Sequence, residues 1–170
     1  MAKKKYQDQV DSNTQAEIKK LITSSNDQVI IYPARKTMTR KDSATFGVGV
    51  QNTLKNTIGK SDDFTISVAF AKAYTGDKLQ LCDSGDETTD PDCIKSAPST
   101  WLKIGNSQKI NKNEVKSFPV TVSTKGNPKS AVYVFDVRVC VGQISSDDCY
   151  NQLNDDLYDQ TVHKIYVNIE

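Results

Sequence analysis

The clearest pattern in the chain is the strict alternation of Ser130 to Val141, SAVYVFDVRVCV. Ala131, Tyr133, Phe135, Val137, Val139 and Val141 fall on one face of an extended strand, and Val132, Val134, Asp136, Arg138 and Cys140 on the other. Side chains alternate across a strand, so one face must pack on a core and the rest of the chain must supply it. The same period marks Gln28 to Pro33, Ala44 to Gln51, Phe64 to Phe70, a short piece at Leu79 to Leu81, Trp101 to Ile104, Lys116 to Val122, and Val162 to Ile169. About seven strands separated by turn signals predict an all-β, two-sheet antiparallel sandwich. Phe46, Val48, Phe64, Val68, Phe118, Val120, Tyr133, Phe135, Val137 and Ile165 are its expected core, with the lone Trp101 beside them.

Local signals refine this outline. Pro33 cannot donate to a ladder, so the first strand ends there or lies at an edge, and Ala34 to Asp42 reads as a basic turn. Gly47 and Gly49 fall on the side away from the core, where a neighbouring side chain could approach the backbone closely. Before the strands the period changes. Val10, Thr14, Ile18, Leu21 and Ile22 recur at helical spacing between about Tyr6 and Ser25, and Thr14 with Glu17 matches a capping box. Residues 10 to 22 are expected to be helical, with Leu21 and Ile22 nearest the sandwich. The stripe is narrow, so the helix either lies along the sandwich or descends as a stalk from a membrane anchor encoded upstream. The expected organisation is a helix over residues 1–26 and a sandwich over 27–170.

A chain of 170 residues can bury a substantial single core. Its 22 Lys+Arg against 21 Asp+Glu leave a formal charge of +1, and the one basic run, Lys3-Lys4-Lys5, follows Met1 and Ala2. Nucleic-acid binding needs a concentrated basic patch, which this balance does not suggest. No apolar run reaches the roughly 18 residues of a membrane span. The four cysteines form two close pairs, Cys82 with Cys93 and Cys140 with Cys149, each flanking an acidic, turn-rich loop. The intervals are too long for zinc knuckles, so two local disulfides, and with them an extracytoplasmic setting, are expected. Cys140 lies on the face opposite Tyr133 and Phe135, so its sulfur should point away from the inter-sheet core.

The segment VKSFPVTVS followed by GNPKSAVYVFDVRVCV resembles the closing half of immunoglobulin-like modules of the CARDB type on archaeal and bacterial surface proteins. VIIYPARKTMTRKDSATFGVGVQNTL is similar to their opening, with an edge strand, a turn and a strand ending in Asn. The resemblance spans roughly residues 28 to 169 and rests on packing patterns. It implies an immunoglobulin-like sandwich with an adhesion, scaffold or surface-assembly role on a prokaryotic, archaeal-type cell surface, and it brings no catalytic residues.

The residues suggest little chemistry. His163 is the only histidine, so no Ser/His/Asp constellation can be assembled, and no catalytic residue or resident cofactor is expected. Asp83, Asp86, Glu87, Asp90 and Asp92 crowd the first cysteine loop. Several carboxylates on a tethered loop could wrap a calcium ion, though the spacing is not that of an EF-hand, and a solvated acidic loop is the simpler reading. The expected role is a non-catalytic extracytoplasmic structural or adhesion module, with a protein partner or self-assembly at the cell surface. A pilus-like assembly anchored upstream of Met1 would suit it, with no nucleic-acid partner. The alternative is a ligand- or carbohydrate-binding sandwich, for which Tyr32, Tyr74, Tyr150, Tyr158 and Tyr166 would supply rings.

Overall fold

A computed structural model of the chain describes residues 12–25, 27–53, 63–75, 80–83, 98–124, 128–141, 149 and 162–170. Among them one helix, α1 (Ser12–Ser25), precedes ten strands. These are β1 (Val29–Tyr32), β2 (Arg35–Met38), β3 (Ser43–Gln51), β4 (Asp63–Tyr74), β5 (Gln80–Asp83), β6 (Leu102–Ile104), β7 (Gln108–Lys109), β8 (Val115–Ser123), β9 (Ala131–Val141) and β10 (His163–Ile169). A 3₁₀ turn, Pro98–Trp101, leads into β6.

The strands form two sheets. One runs β1-β3-β8-β6, and the other runs β2-β10-β9-β4-β5 with β7 also paired to β4. The alternating faces meet between the sheets. Phe46, Val48, Phe118 and Val120 from the first pack with Phe64, Phe70, Tyr133, Phe135, Val137 and Ile165 from the second in one buried cluster. All ten positions expected in the core lie in it, Val68 included. Trp101 closes the aromatic centre, 4.9 Å from the Tyr133 ring and 6.4 Å from that of Phe135. The Tyr133 hydroxyl donates back to the Lys129 carbonyl at 3.0 Å, four residues upstream. A tyrosine near the start of this strand that bonds upstream backbone is a hallmark of immunoglobulin sandwiches, and the strand order matches their two sheets. The fold is an immunoglobulin-like β-sandwich preceded by one helix.

Two expectations about the first third of the chain need correction. The stretch after Pro33 is not only a turn. The Tyr32–Pro33 peptide is cis, and the chain leaves β1 there and crosses to the other sheet. There Arg35 to Met38 run parallel to β10, with Met38 buried, so the sandwich is not wholly antiparallel. The strands added to those expected are β2, from the split opening, and the two-residue β7.

The helix also differs in detail. Ile18 and Ile22, both wholly buried, are its packing residues, and Leu21 is only half-buried. Residues four apart lie one above the other on a helix, so Ile18 and Ile22 present one narrow ridge to the sheet. They form a small second cluster with Ile30 and Val115 on the outer face of the four-stranded sheet. Thr14 already lies inside the helix, two residues beyond Ser12, and is therefore not its N-cap. The helix lies along the sandwich over this span.

Gly49 explains the close fit. A Cβ at this position would fall well inside contact distance of Ile18 Cγ2 and 3.1 Å from Ile22 Cδ1. The outward glycine in β3 therefore lets the ridge rest on backbone.

Candidate functional site

Among the described residues a groove lies where α1 passes the edge of the four-stranded sheet. β8 is nine residues long, but its outer neighbour β6 has only three, pairing with Val120 to Val122. Gly105 then donates its N–H to the Pro119 carbonyl at 3.0 Å, and a Cβ on Gly105 would come within 2.9 Å of Pro119 Cδ. The chain next turns toward the other sheet, where Gln108 and Lys109 pair with Phe64 and Asp63 of β4. That departure leaves a groove of about 700 Å³ beside Val115, Ser117 and Pro119, walled by α1 on one side and by Asn106 and Gln108 on the other.

Its lining is polar. The helix contributes Ser12, Gln15 and Lys19, and Gln108 Nε2 donates to the Ser117 carbonyl at 3.0 Å. Lys116 Nζ bonds the Lys109 carbonyl at 2.7 Å and stands 3.7 Å from Glu114. Hydrogen bonds hold the turn that precedes the site. Buried Asn52, at the end of β3, donates from Nδ2 to the Ile110 carbonyl at 2.8 Å and accepts from the Asn113 N–H at 2.7 Å. This pins the turn that feeds β8. Asn113 adopts φ 64°, a left-handed conformation that Asn tolerates better than most side chains.

The residues expected to carry chemistry sit elsewhere. Cys140 and Cys149 are joined, with sulfurs 2.07 Å apart and both residues fully buried. Cys140 is outside the inter-sheet cluster, as its place in the alternation requires, and Cys149 Sγ lies 3.8 Å from the Thr65 carbonyl. The bridge therefore covers the outer face of the second sheet beside Thr65, which is also buried. Only the backbone of Cys82 and Asp83 is described, at the end of β5, so the Cys82–Cys93 pairing lies outside the described residues. So do Asp86, Glu87, Asp90 and Asp92, and with them the calcium loop. Among the described residues no three metal-ligating side chains come together. His163 is half-buried at the start of β10.

The tyrosines do not assemble into a platform among the described residues. Tyr32 is exposed at the end of β1, and Tyr166 on β10 is stacked under the Arg35 guanidinium, 4.7 Å from its centroid. Tyr150 and Tyr158 lie outside the described residues. No helix among the described residues is long and apolar enough to cross a membrane. The groove itself was missed in the sequence, because it arises from the unequal lengths of β8 and β6 and from the path of α1. Gly105, directly after the short strand Leu102–Ile104, was its only local signal.

No known protein family and no curated protein matches the chain. Solved structures match at low similarity. A family 123 glycoside hydrolase from Clostridium perfringens has 9% identity and a TM-score of 0.45, over 79% of this chain and 22% of the hydrolase. The class 5 fimbriae chaperone CfaA has 12% identity and a TM-score of 0.37, over 82% of this chain and 54% of the chaperone. The collagen-binding domain of a Staphylococcus aureus adhesin has 11% identity and a TM-score of 0.31, over 84% of this chain and 97% of that domain. The chain thus spans about a fifth of the hydrolase and about half of the chaperone, and its assignment as an immunoglobulin-like sandwich rests on its own strand order and tyrosine corner.

Proposed function

We propose that this chain is a non-catalytic structural or adhesion module working outside the cytoplasm, at a cell surface. The observation that carries the reading is the buried Cys140–Cys149 bridge. Such bonds form and persist in oxidising compartments and are rare where thiols are kept reduced. The seating of α1 on Gly49 adds a mechanical argument: a load arriving through the helix would pass into the sheet instead of bending at a hinge. That suits the exposed part of a membrane-anchored or pilus-like assembly. The resemblance of the Val115 to Val141 region to CARDB-type modules favours an archaeal-type surface and a protein partner.

The test is production of the chain with export to an oxidising compartment, followed by non-reducing peptide mapping, a glycan array and a sedimentation series. The expected result is the Cys140–Cys149 peptide, self-association or protein binding, and no saturable glycan. Free thiols at both positions after export would overturn the compartment. A saturable glycan would replace the reading with that of a carbohydrate-binding module.

A further inference from the structure

The open edge of β8 has a backbone chemistry of its own. Successive residues of an antiparallel strand turn their N–H and C=O groups to opposite edges. The Glu114 carbonyl, just before β8, accepts from Asn52 on the β3 side, and the Pro119 carbonyl accepts from Gly105 on the other. Val115 and Ser117 share the parity of Pro119, so their backbone groups face the groove. No described strand pairs with them there. The Ser117 carbonyl instead accepts the Gln108 side-chain amide, which stands where a neighbouring strand would place its N–H.

We propose that this edge is a docking site for an extended acidic peptide segment of a protein partner, which adds to β8 as a further strand. Main-chain bonds to Val115 and Ser117 would supply register, as in other strand-addition complexes. The sign of charge follows from Lys19, exposed on the helix wall of a lining that holds no carboxylate; the other lysine there, Lys116, is paired with Glu114 at 3.7 Å. Glutamates at alternate positions of the added strand, on the outer face that α1 and Pro119 share, would meet Lys19 on the helix wall, while the β-branched residues between them face the opposite side. The chain's own leading run, Lys3-Lys4-Lys5, has the wrong sign to be the occupant. The site is independent of the compartment reading, which rests on the disulfide, so the two can fail separately.

The probe is a capped octapeptide of sequence TEVETEVT, titrated into the ¹⁵N-labelled full chain, with its all-glutamine analogue TQVQTQVT as control. Binding should shift the Val115 and Ser117 amides and slow their hydrogen exchange. Ser117→Pro removes the donor on the groove side only, repeating the pattern already present at Pro119, and should weaken binding about tenfold or more. Lys19→Glu alters an exposed side chain and should weaken the acidic peptide about three- to tenfold at low salt, with little effect on the control. Thermal melts of both variants report whether each is folded. Lack of binding, binding that leaves the two amides unshifted, or unchanged affinity in a folded Ser117→Pro variant would each overturn the proposal. So would tighter binding of an oligogalacturonate than of the peptide.

Discussion

The seating of α1 on Gly49 yields a prediction whose sign depends on the partner residue. Gly49→Ala introduces a methyl group where Ile18 Cγ2 already sits, and Ile22 Cδ1 at 3.1 Å limits escape in the other direction. Ile18 Cγ2 is a branch methyl fixed by its χ1 rotamer, so the helix must lift or the rotamer must strain. Overpacking of this kind costs about 1–3 kcal/mol, set against about 0.5–1 kcal/mol regained by replacing glycine in a strand. Ile18→Ala alone loses a fully buried side chain from a cluster of two buried and two partly buried residues. About 2–3 kcal/mol is expected, near the low end for Ile→Ala, because the helix can settle into the gap. For a chain of this size that corresponds to a fall of roughly 4–12 °C in Tm. In the Ile18→Ala background the obstructing Cγ2 is gone, and what remains is Ile22 Cδ1, the far end of a flexible side chain. Gly49→Ala should then be neutral or stabilising, giving a favourable coupling energy of about 1–3 kcal/mol. Urea unfolding of the four proteins, followed by tryptophan fluorescence from the buried Trp101, completes the cycle. Additivity within about 0.5 kcal/mol would refute the packing of helix on glycine, and with it the view that α1 is an integral layer.

Two further outcomes are expected. Phe135→Ala, at the junction of Phe70, Trp101 and the inter-sheet cluster, should cost about 3–5 kcal/mol in denaturant unfolding, and a loss below about 1 kcal/mol would place its ring outside the core. Replacing both Cys140 and Cys149 by Ala should destabilise the chain by about 3 kcal/mol, the chain-entropy value for a loop with a sequence separation of 9, and an unchanged urea midpoint would show that the bridge does not contribute.

Much of this protein follows from sequence alone because period-two alternation is a local property that a one-sided core enforces residue by residue. Val120, Tyr133, Phe135 and Ile165 could be assigned inward without knowing what they touch. Cys140 could be assigned to the opposite face by the same rule. Gly49 was legible as a site of close approach, although its visitor was not. Tertiary structure alone decided the rest. Ile18 and Leu21 both belong to the helical stripe, and only the placement of α1 over Gly49 selects Ile18 and leaves Leu21 half-exposed. Arg35 to Met38 is polar and basic, with no strand alternation to betray it. It becomes a strand because β10, some 130 residues later, offers it an open edge after the turn at Pro33. The groove has no sequence signature because it is made by an absence of pairing: β6 stops at Ile104 while β8 continues to Val115. Side-chain direction within a strand is set by its neighbours one and two residues away, whereas edges, crossings and concavities are set by which segments end first.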